Sequence, residues 1–498
     1  MKKATILGID CGNSSVRVVV GTVTDSSVEL DVILQSPNSM TRIGDWFVWD
    51  PIYIFREILR GMALASNQYE RIDSIGVATW GVDFGLFSPE GILLGDVLAY
   101  RNEAGASYYD RLSPEDEKTY FDLTGILSDK INSAYLLQAV RDRLPTVYKQ
   151  ASRLLMISDI LNYYLTGVMI NEPSMLSTTQ LFNAQDQTLS QEICRLMDLR
   201  SDLIGPVSQH GQKIGFLRPE IMAELNMTGD PIPVISVPSH DTAAAVLAAP
   251  SQAGEPLAFI SSGTWSLLGM EMEKALVNDQ VFQAGFTNEV GAFGTTTLLA
   301  NSMGLFLLQK LKQEYELEEG KACSWDEFYA IRSRGRQDKP FLFNVNDRAF
   351  FNPPSMLEAI MKRILEEGGS ASPQSKWQTA ISAAVESLAC SYALGMENLG
   401  RATGRAIDRI YVVGGGTRDS ELNQLTANRT GRPVLLGSPE STSLGNILAQ
   451  TSYLAGYSME QIRDIARRSF PPREVAPQPL TDDAVTRYRT LVEQTKGE

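Results

Sequence analysis

A turn of small polar residues follows an apolar, β-rich run at the start of the chain. Ala4 to Ile9 leads into Asp10-Cys11-Gly12-Asn13-Ser14-Ser15, and a β-branched run, Val16 to Val20, follows. This order indicates a β-hairpin. Backbone N–H groups in such a turn can form a concavity that holds phosphate oxygens without a lysine. Asp10 could hold Mg²⁺ directly or through water, and the alternative is an ordinary hairpin turn with a surface aspartate.

The same arrangement returns in the middle of the chain. Leu257 to Ile260 leads into Ser261-Ser262-Gly263-Thr264, and Trp265 to Gly269 follows. This second turn carries hydrogen-bond donors and no acidic residue. It either binds the opposite side of a polyphosphate held by the first turn, or it is a plain hairpin. Two similar hairpins predict two related α/β domains, residues 1–247 and 248–498, with a ligand cleft between them. The small, Pro- and Gly-rich stretch at 248–256 marks the boundary.

A third candidate is the run Tyr411-Val412-Val413-Gly414-Gly415-Gly416, followed by a predicted helix from Ser420. Glycines between a strand and a helix N-terminus let a flat ligand such as a purine lie against the backbone. The spacing is not that of a dinucleotide-binding fingerprint. A plain strand-to-helix turn is the alternative interpretation.

Two acidic segments complete the candidate chemistry. In Val237-Pro238-Ser239-His240-Asp241-Thr242-Ala243, the aspartate lies between a strand and an apolar helix, where it is either a general base for a hydroxyl or an N-cap. In Ala78-Thr79-Trp80-Gly81-Val82-Asp83-Phe84-Gly85, a Trp and an Asp suit a polyol, through ring packing and hydroxyl binding. The alternative there is a core Trp with a turn Asp.

Hydrophobic periodicity gives the elements that must position these residues. We expect strands at Ile72 to Thr79, Val234 to Val237 and Arg409 to Val413, and a long helix over Ala380 to Leu399. The tail after Pro471 is Pro-rich and then helical, and we expect it to pack on the second domain.

Composition excludes several classes of protein. The 498 residues include 44 basic and 59 acidic side chains, a net charge of −15 that disfavours nucleic acid and anionic membranes as partners. Four dispersed cysteines without a Cys-x-x-Cys pair argue against disulfides or structural zinc and favour the cytoplasm. Two histidines, without the motifs of serine hydrolases or zinc proteases, leave carboxylates and backbone donors as the chemistry. No apolar run approaches the length of a membrane span.

Together and in this order, the segments resemble the FGGY family of carbohydrate kinases, and within it the rhamnulokinase branch. The resemblance covers the chain from Ile6 to about Ala455. It implies an α/β fold of two duplicated actin-like ATPase (ribonuclease H-like) domains with a cleft between them. Its most specific stretches are Thr79-Trp80-Gly81-Val82-Asp83-Phe84, Leu154-Leu155-Met156-Ile157-Ser158-Asp159, Ser177-Thr178-Thr179-Gln180-Leu181, Ser239-His240-Asp241-Thr242, Ser261-Ser262-Gly263-Thr264-Trp265-Ser266-Leu267 and Phe286-Thr287-Asn288-Glu289.

The resemblance implies ATP- and Mg²⁺-dependent phosphorylation of the terminal (C1) hydroxyl of a deoxyketose. L-Rhamnulose is the first candidate for this substrate. Asp241 would be the general base and Asp10 would organise the metal. The residues implied to bind ATP are Asn13, Ser14, Ser15, Val16, Arg17, Thr264, Gln309 and Gly415. The residues assigned to the sugar pocket, by the resemblance or by their own chemistry, are Gly81, Asp83, His240, Asp241, Thr242 and Asn301.

Two stretches depart from the rhamnulokinase pattern. The phosphate turn has Cys11, Asn13 and Val16 where Leu, Ala and Gly are usual. The branch usually carries Tyr-Arg-Asp and then an Arg-Thr pair, whereas this chain has Tyr100-Arg101-Asn102-Glu103-Ala104-Gly105. L-Fuculose or another ketose is therefore an alternative substrate. From other classes, an actin-like ATPase switch and a sugar-binding protein without catalysis are alternatives. We expect a monomer or a homodimer.

Overall fold

The computed structural model describes residues 3–252, 254–333, 340–351, 353–366, 375–480 and 482–495. The chain divides into two compact units that are discontinuous in sequence. Unit 1 comprises Met1–Glu255, Glu271–Leu299 and Glu440–Pro471, and unit 2 comprises Pro256–Met270, Ala300–Pro439 and Pro472–Glu498. The assignment of functions to residues 1–247 and 248–498 stays a prediction.

The two predicted hairpins and three predicted strands are confirmed, although β6 and β13 are shorter than expected. Within the described ranges the strands are β1 (Ala4–Cys11), β2 (Ser15–Val23), β3 (Val28–Pro37), β4 (Thr41–Ile43), β5 (Trp46–Trp49), β6 (Ser74–Thr79), β7 (Phe84–Phe87), β8 (Val97–Leu98), β9 (Arg153–Met156), β10 (Phe182–Asn183), β11 (Thr188–Leu189), β12 (Lys213–Phe216), β13 (Pro233–Ile235), β14 (Ala258–Ser262), β15 (Trp265–Met272), β16 (Thr287–Val290), β17 (Thr296–Met303), β18 (Ile410–Val413), β19 (Val434–Leu436) and β20 (Arg473–Val475).

The long predicted helix and the helical tail are also confirmed, as α15 and α20. In the same ranges the helices are α1 (Pro51–Gln68), α2 (Glu103–Tyr109), α3 (Pro114–Thr124), α4 (Ser133–Arg143), α5 (Pro145–Gln150), α6 (Ile157–Thr166), α7 (Pro173–Leu176), α8 (Gln191–Leu196), α9 (Pro219–Glu224), α10 (Asp241–Leu247), α11 (Asp279–Gln283), α12 (Phe306–Glu319), α13 (Trp325–Ser333), α14 (Met356–Glu366), α15 (Lys376–Thr403), α16 (Ser420–Thr430), α17 (Ser441–Ala449), α18 (Thr451–Ala455), α19 (Met459–Ser469) and α20 (Ala484–Thr495).

The main sheet of unit 1 is mixed, in the order β12-β13-β6-β1-β2-β3. β6 runs parallel to β1 and to β13, and the other pairs are antiparallel. β1 and β2 are buried along nearly their whole length, so both of their faces must be apolar. Smaller sheets in this unit are β4-β5-β8-β7-β9 and β10-β11, and β16 pairs with β17.

Alternating side chains of β1 and β2 build two cores in unit 1. Leu7 and Val18 belong to the core that includes residues of α1, whereas Ile6 and Val19 belong to the core that includes residues of α17 and α19. On the α17 face, Cβ atoms at Gly8 and Gly21 would lie 2.9 and 2.4 Å from Ile447. Glycines in β1 and β2 therefore let α17 pack close against these two strands.

Unit 2 is built on strands in the order β15-β14-β18-β19-β20. β14, β18 and β19 run parallel, and β15 and β20 are antiparallel to their neighbours. The long helix α15 packs so tightly that a Cβ at Gly395 would lie 2.4 Å from Leu268 of β15. α20 packs against α15, which confirms that the tail joins the second half of the fold. None of the helices described is long and apolar enough to cross a membrane.

Candidate active site

The turn between β1 and β2 is fixed by backbone hydrogen bonds. The Gly12 N–H donates to the Ser15 carbonyl at 2.8 Å. Asn38, just after β3, donates from its backbone to the Ser14 carbonyl at 3.0 Å and from its amide to the Gly12 carbonyl at 2.9 Å. Asn13 and Ser14 are exposed at the tip, while Ser15 is buried beside it. The predicted phosphate turn is therefore a rigid loop with polar groups at its tip.

Asp10 lies at the end of β1, opposite Arg17 on β2, and is 4% exposed. Its Oδ2 accepts a hydrogen bond from Ser443 at the start of α17, at 2.9 Å, and lies 3.9 Å from Arg17 Nη1. Arg17 also forms an ion pair with Glu440. Burial raises the pKa of Asp10, although Arg17 and Ser443 stabilise its charged form. The carboxylates of Asp241 and Glu440 raise that pKa further, so the end of β1 has a strongly acidic environment.

The segment between β13 and α10 carries the predicted base. Its backbone is fixed to β6, because Thr79 N–H donates to the Ser239 carbonyl at 2.7 Å and Ser239 Oγ donates to the Val77 carbonyl at 2.9 Å. Thr242 is buried, whereas the Asp241 side chain is 37% exposed. Asp241 is thus the group in this segment that a substrate can reach most easily.

His240 lies between two carboxylates. Its Nδ1 is 2.9 Å from Oε2 of Glu289, and its Nε2 is 3.5 Å from Oδ1 of Asp241. Burial alone would lower the pKa of His240, but Glu289, Asp241 and Glu172 together raise it to about 9. The ring is therefore a cation near neutral pH, with both nitrogens protonated.

Gly81 lies directly opposite this histidine. A Cβ there would be 2.9 Å from the Thr178 methyl group and 3.3 Å from His240 Nε2. The next residue, Val82, has a φ of 68°, and its N–H donates to Thr178 Oγ1 at 2.9 Å. A β-branched residue in the left-handed region is strained, so this backbone is held in place by its surroundings. The absence of a Cβ lets the backbone at Gly81 pack close to the imidazole and to Thr178.

Asp83 is fully buried, and two indoles donate to the same oxygen of its carboxyl group. Trp49 Nε1 lies 2.6 Å and Trp80 Nε1 2.7 Å from Oδ2. Burial raises the pKa of Asp83 to about 7, against the effect of the two indole hydrogen bonds. The sequence predicted that Asp83 binds sugar hydroxyls directly. That role stays a prediction, and the geometry shown is that of a group that orients Trp80.

A buried network supports the base segment from below. Ser174 Oγ accepts from the His240 backbone N–H at 2.9 Å and donates to Glu172 Oε2 at 2.6 Å. The other oxygen of Glu172 accepts a hydrogen bond from His210 Nε2, because His210 Nδ1 accepts from the Phe293 N–H at 2.9 Å. This chain of contacts fixes the backbone at the start of α10.

The predicted nucleotide residues of unit 2 lie in two places. Thr264, at the β14–β15 turn, is exposed, and its carbonyl accepts from the Phe306 N–H at 3.2 Å. That contact joins the turn to α12, on which Gln309 is exposed. Asn301, predicted for the sugar, is exposed on β17.

The glycine turn after β18 packs against the end of β14. A Cβ at Gly416 would lie 2.0 Å from Ser262 Oγ, and Gly414 has a φ of 83°. Gly415 is exposed, and a Cβ there would meet no atom within 4 Å. The predicted strand, glycine turn and helix are confirmed, with α16 starting at Ser420.

Sequence reasoning missed four carboxylate and hydroxyl groups of this site. Glu440 and Ser443 belong to a run of small polar residues before an apolar helix, a pattern that could have indicated a helix N-terminus facing the first turn. Glu289 lies in a motif that was noted but given no role. Glu172 gave no signal, because its partners His210 and Ser174 come together through folding.

Family models and full-length relatives match the chain. The FGGY family of carbohydrate kinases matches with its N-terminal domain over residues 5–248 and its C-terminal domain over residues 258–453. A rhamnulokinase of Bacteroides thetaiotaomicron is 33% identical, over 98% of this chain and 100% of its own. A rhamnulokinase of Bacillus subtilis is 30% identical, over 95% of each chain.

Solved structures show the same fold. A ligand-bound xylulose kinase of Lactobacillus acidophilus matches with a TM-score of 0.77 at 14% identity, over 99% of this chain and 97% of that one. A Plasmodium falciparum glycerol kinase with ADP matches with a TM-score of 0.74 at 15% identity, over 100% and 98%. The predicted α/β architecture of actin-like ATPase domains is confirmed. The chain belongs to the FGGY family of carbohydrate kinases and is an ATP-dependent sugar kinase.

Proposed function

We propose that the chain transfers the γ-phosphoryl group of ATP to the C1 hydroxyl of L-rhamnulose, giving L-rhamnulose 1-phosphate and ADP. The choice of sugar is supported by relatives named rhamnulokinase that are 30 to 34% identical and align over nearly the whole chain. The structural observation that carries the proposal is the position of Asp241.

Asp241 lies between the groups assigned to the sugar and those assigned to phosphate. Its carboxylate is 3.5 Å from His240 Nε2, and its charge raises the pKa of both Asp10 and Arg17 on the first hairpin. A general base for phosphoryl transfer must reach the hydroxyl proton while the oxygen attacks phosphorus. In our proposal Asp241 takes this proton as the new O–P bond forms and ADP leaves.

We assign the sugar to the space in front of His240. The Gly81 backbone lies close to that imidazole, Thr242 lies in the first turn of α10, and Trp80 is held by Asp83. An indole ring suits the C–H face of a polyol, and an imidazolium N–H suits its oxygens. Asn301 of unit 2 is the remaining residue assigned to this substrate.

We assign the nucleotide to backbone-donor turns. Asn13, Ser14, Ser15, Val16 and Arg17 would contact phosphate, and Thr264, Gln309 and Gly415 of unit 2 would contact ATP. Arg17 is the cation of the first hairpin, and its charge is shared with Asp10 and Glu440. Positioning and charge neutralisation dominate phosphoryl transfer. Backbone and hydroxyl donors are therefore sufficient to hold the phosphates when a bound cation neutralises their charge.

We propose that the cation bound with the phosphates is Mg²⁺ and that Asp10 is the protein residue that binds it. Carboxylates outnumber cations around the end of β1, where the charges of Asp241 and Glu440 both raise the pKa of Asp10. Among the described residues there is no group of three or more His, Cys, Asp and Glu side chains placed to hold a metal. Mg²⁺ suits such a site, because it is commonly bound through one or two carboxylates, water and substrate phosphates. It would neutralise charge on the phosphates.

The departure at Asn102 has a structural explanation that is independent of the sugar. Its amide donates to the carbonyls of Phe47 and Ala99, both at 2.8 Å, and its Oδ1 accepts from the Phe47 N–H at 2.8 Å. A carboxylate could accept here but could not donate. The amide at this position is therefore explained by its backbone contacts and does not indicate another substrate.

We also propose that the enzyme acts in the cytoplasm on small molecules, without nucleic acid or membrane partners. ATP is available there, and all four cysteines, which lie within the described ranges, are free thiols. The net charge of −15 opposes binding to anionic polymers.

The experiment is an ADP-release assay with L-rhamnulose, L-fuculose, L-ribulose and D-xylulose, with identification of each product by mass and NMR. We expect the highest kcat/KM for L-rhamnulose and a 1-phosphate product. A higher kcat/KM for another ketose would move the assignment to that sugar. ADP release that no sugar stimulates would overturn the proposal and favour the ATPase switch.

A further inference from the structure

Glu289 lies beside the candidate site but has no role in the proposed reaction. It occupies the third position of β16, whose burial alternates along the strand. Asn288 and Val290 face inward, with exposures of 0% and 1%. Thr287 and Glu289 face the opposite side, where the Glu289 carboxylate lies 2.9 Å from His240 Nδ1.

β16 is anchored so that this carboxylate has a defined position. Asn288 donates from its amide to the Gly125 carbonyl at 2.7 Å and accepts from the Leu276 N–H at 2.8 Å. The Val290 N–H donates to Ser177 Oγ at 2.9 Å. Because the residues on both sides of Glu289 are fixed, its side chain presents its charge to the imidazole without a large loss of freedom.

The two ring nitrogens of His240 have different neighbours. Nδ1 faces Glu289, whereas Nε2 faces Asp241 and the backbone at Gly81. An anion at Nδ1 favours the doubly protonated ring, and a doubly protonated ring is a donor at Nε2. A neutral ring with its proton on Nδ1 would instead be an acceptor at Nε2.

We propose that Glu289 is a positioning residue that makes His240 Nε2 a hydrogen-bond donor to an oxygen of the bound ketose next to the reacting hydroxyl. Asp241 then stays available for the reacting hydroxyl itself. This inference rests on the proposed function, since it assigns a residue to the same sugar site. The ligand chemistry is a neutral sugar oxygen, a carbonyl or a hydroxyl, that accepts from a cationic N–H.

The charged and titratable groups around His240 come from three directions. Glu289 faces it from β16, Asp241 follows it on α10, and Glu172 acts from the N-cap of α7. Glu172 is itself bonded to His210. Of these, Glu289 is the carboxylate nearest to the ring, so removing its charge should have the largest effect on the protonation of His240.

The test compares Glu289→Gln with Glu289→Asp. The Gln variant keeps an acceptor for Nδ1 but removes the charge, so the pKa of His240 falls and Nε2 becomes an acceptor at alkaline pH. We expect the KM for sugar to rise roughly tenfold at about pH 8.5, which corresponds to one hydrogen bond, and the increase to shrink at about pH 6. The KM for ATP stays unchanged, and Glu289→Asp restores most of the sugar KM at both pH values.

A matched control is Glu271→Gln, which removes a partly buried carboxylate that pairs with Arg463 at 2.6 Å in the same unit. We expect it to leave the pH dependence of the sugar KM unchanged. The inference is overturned if the sugar KM of Glu289→Gln changes by the same factor at both pH values, or if the control shows the same pH dependence.

A second measurement is independent of activity. The chain has two histidines, so an NMR titration of the imidazoles can follow His240 directly, with a His210→Gln sample for assignment. We expect the His240 resonance to titrate near pH 9 in the wild type and at lower pH in Glu289→Gln. An unchanged titration in the variant overturns the inference. If no ketose is phosphorylated by the wild type, the proposed function fails, whereas this titration still reports on Glu289.

Discussion

Ser443 Oγ donates a hydrogen bond to Asp10 Oδ2 at 2.9 Å, although 433 positions separate the two residues in the chain. Two further residues continue the pattern one and two turns later. Asn446 of α17 and Gln450, the residue directly after this helix, donate to carbonyl oxygens of β1 at 2.9 and 3.1 Å. These polar side chains, which come late in the sequence, thus fix β1, the strand that carries the proposed metal ligand Asp10.

Ser443→Ala removes the hydrogen bond that orients this carboxylate. A hydrogen bond to a charged group contributes about 1.5 to 3 kcal/mol, so we expect the Mg²⁺ concentration for half-maximal activity to rise roughly tenfold. The KM for sugar should change little. Ser452→Ala is the control, because that hydroxyl donates locally to the Ala449 carbonyl. If Ser443→Ala has the same Mg²⁺ dependence as the wild type, Asp10 does not bind the metal.

Local patterns predicted the elements of the site but not their partners. The turns after β1, β14 and β18 follow from short-range rules, since small polar residues and glycines between apolar runs have few alternatives. The contacts of Asp10 with Ser443 and of His240 with Glu289 join segments that are distant in sequence. Such contacts depend on how whole elements pack, so the sequence pattern alone could not specify them.

Asp83 shows the same limit for a single side chain. Its position after a strand, beside Trp80, predicted a carboxylate that binds sugar hydroxyls, with a turn aspartate as the alternative. Trp49 and Trp80 lie 34 and 3 positions away, and both indole N–H groups bond to it in the core. Burial depends on which aromatic rings pack around a residue, and two of these rings come from different segments of unit 1.

Asp241→Asn removes the proposed base while keeping the shape of the side chain. We expect kcat to fall roughly 10²- to 10⁴-fold, the contribution of a general base. ATP binding, measured by calorimetry, should stay close to wild type, because the assigned ATP contacts are on the two hairpins, on α12 and in the glycine segment. Near-normal turnover in this variant would remove Asp241 from the role.

Asp83→Asn tests the buried carboxyl group through stability. The folded-state pKa of Asp83 is raised from 3.8 to about 7, so its contribution to stability is fully present below about pH 3.8 and is lost as pH rises to about 7. The loss is on the order of 4 kcal/mol at most. An amide carries no charge to bury, and its oxygen can accept from both indoles.

We therefore expect Asp83→Asn to unfold at a higher temperature than the wild type at about pH 8, and the difference to shrink at about pH 5. Thermal unfolding followed by tryptophan fluorescence measures both. Asp186→Asn, at an exposed position of the same unit, should follow the wild type at each pH. Parallel pH dependence of the wild type and Asp83→Asn would show that Asp83 is ionised without penalty.

Gly81→Ala places a methyl group in the space in front of His240. The new Cβ would lie 2.9 Å from the Thr178 methyl group, and Thr178 is held because its hydroxyl donates to the Met175 carbonyl at 2.7 Å and accepts from the Val82 N–H at 2.9 Å. We expect lower thermal stability, since overpacking typically costs about 1 to 3 kcal/mol, and a roughly tenfold higher KM for sugar.

A second substitution separates the two effects of this methyl group. Thr178→Ser removes the methyl group at 2.9 Å but keeps the hydroxyl, which would lie 3.2 Å from the new Cβ, so the double variant Gly81→Ala/Thr178→Ser should regain part of the thermal stability. Its KM for sugar should stay raised, because the alanine methyl still lies about 3.3 Å from His240 Nε2, in the space assigned to the ketose. If the sugar KM of the double variant returns to the wild-type value together with the stability, Gly81 is required for packing against Thr178, and the sugar lies elsewhere.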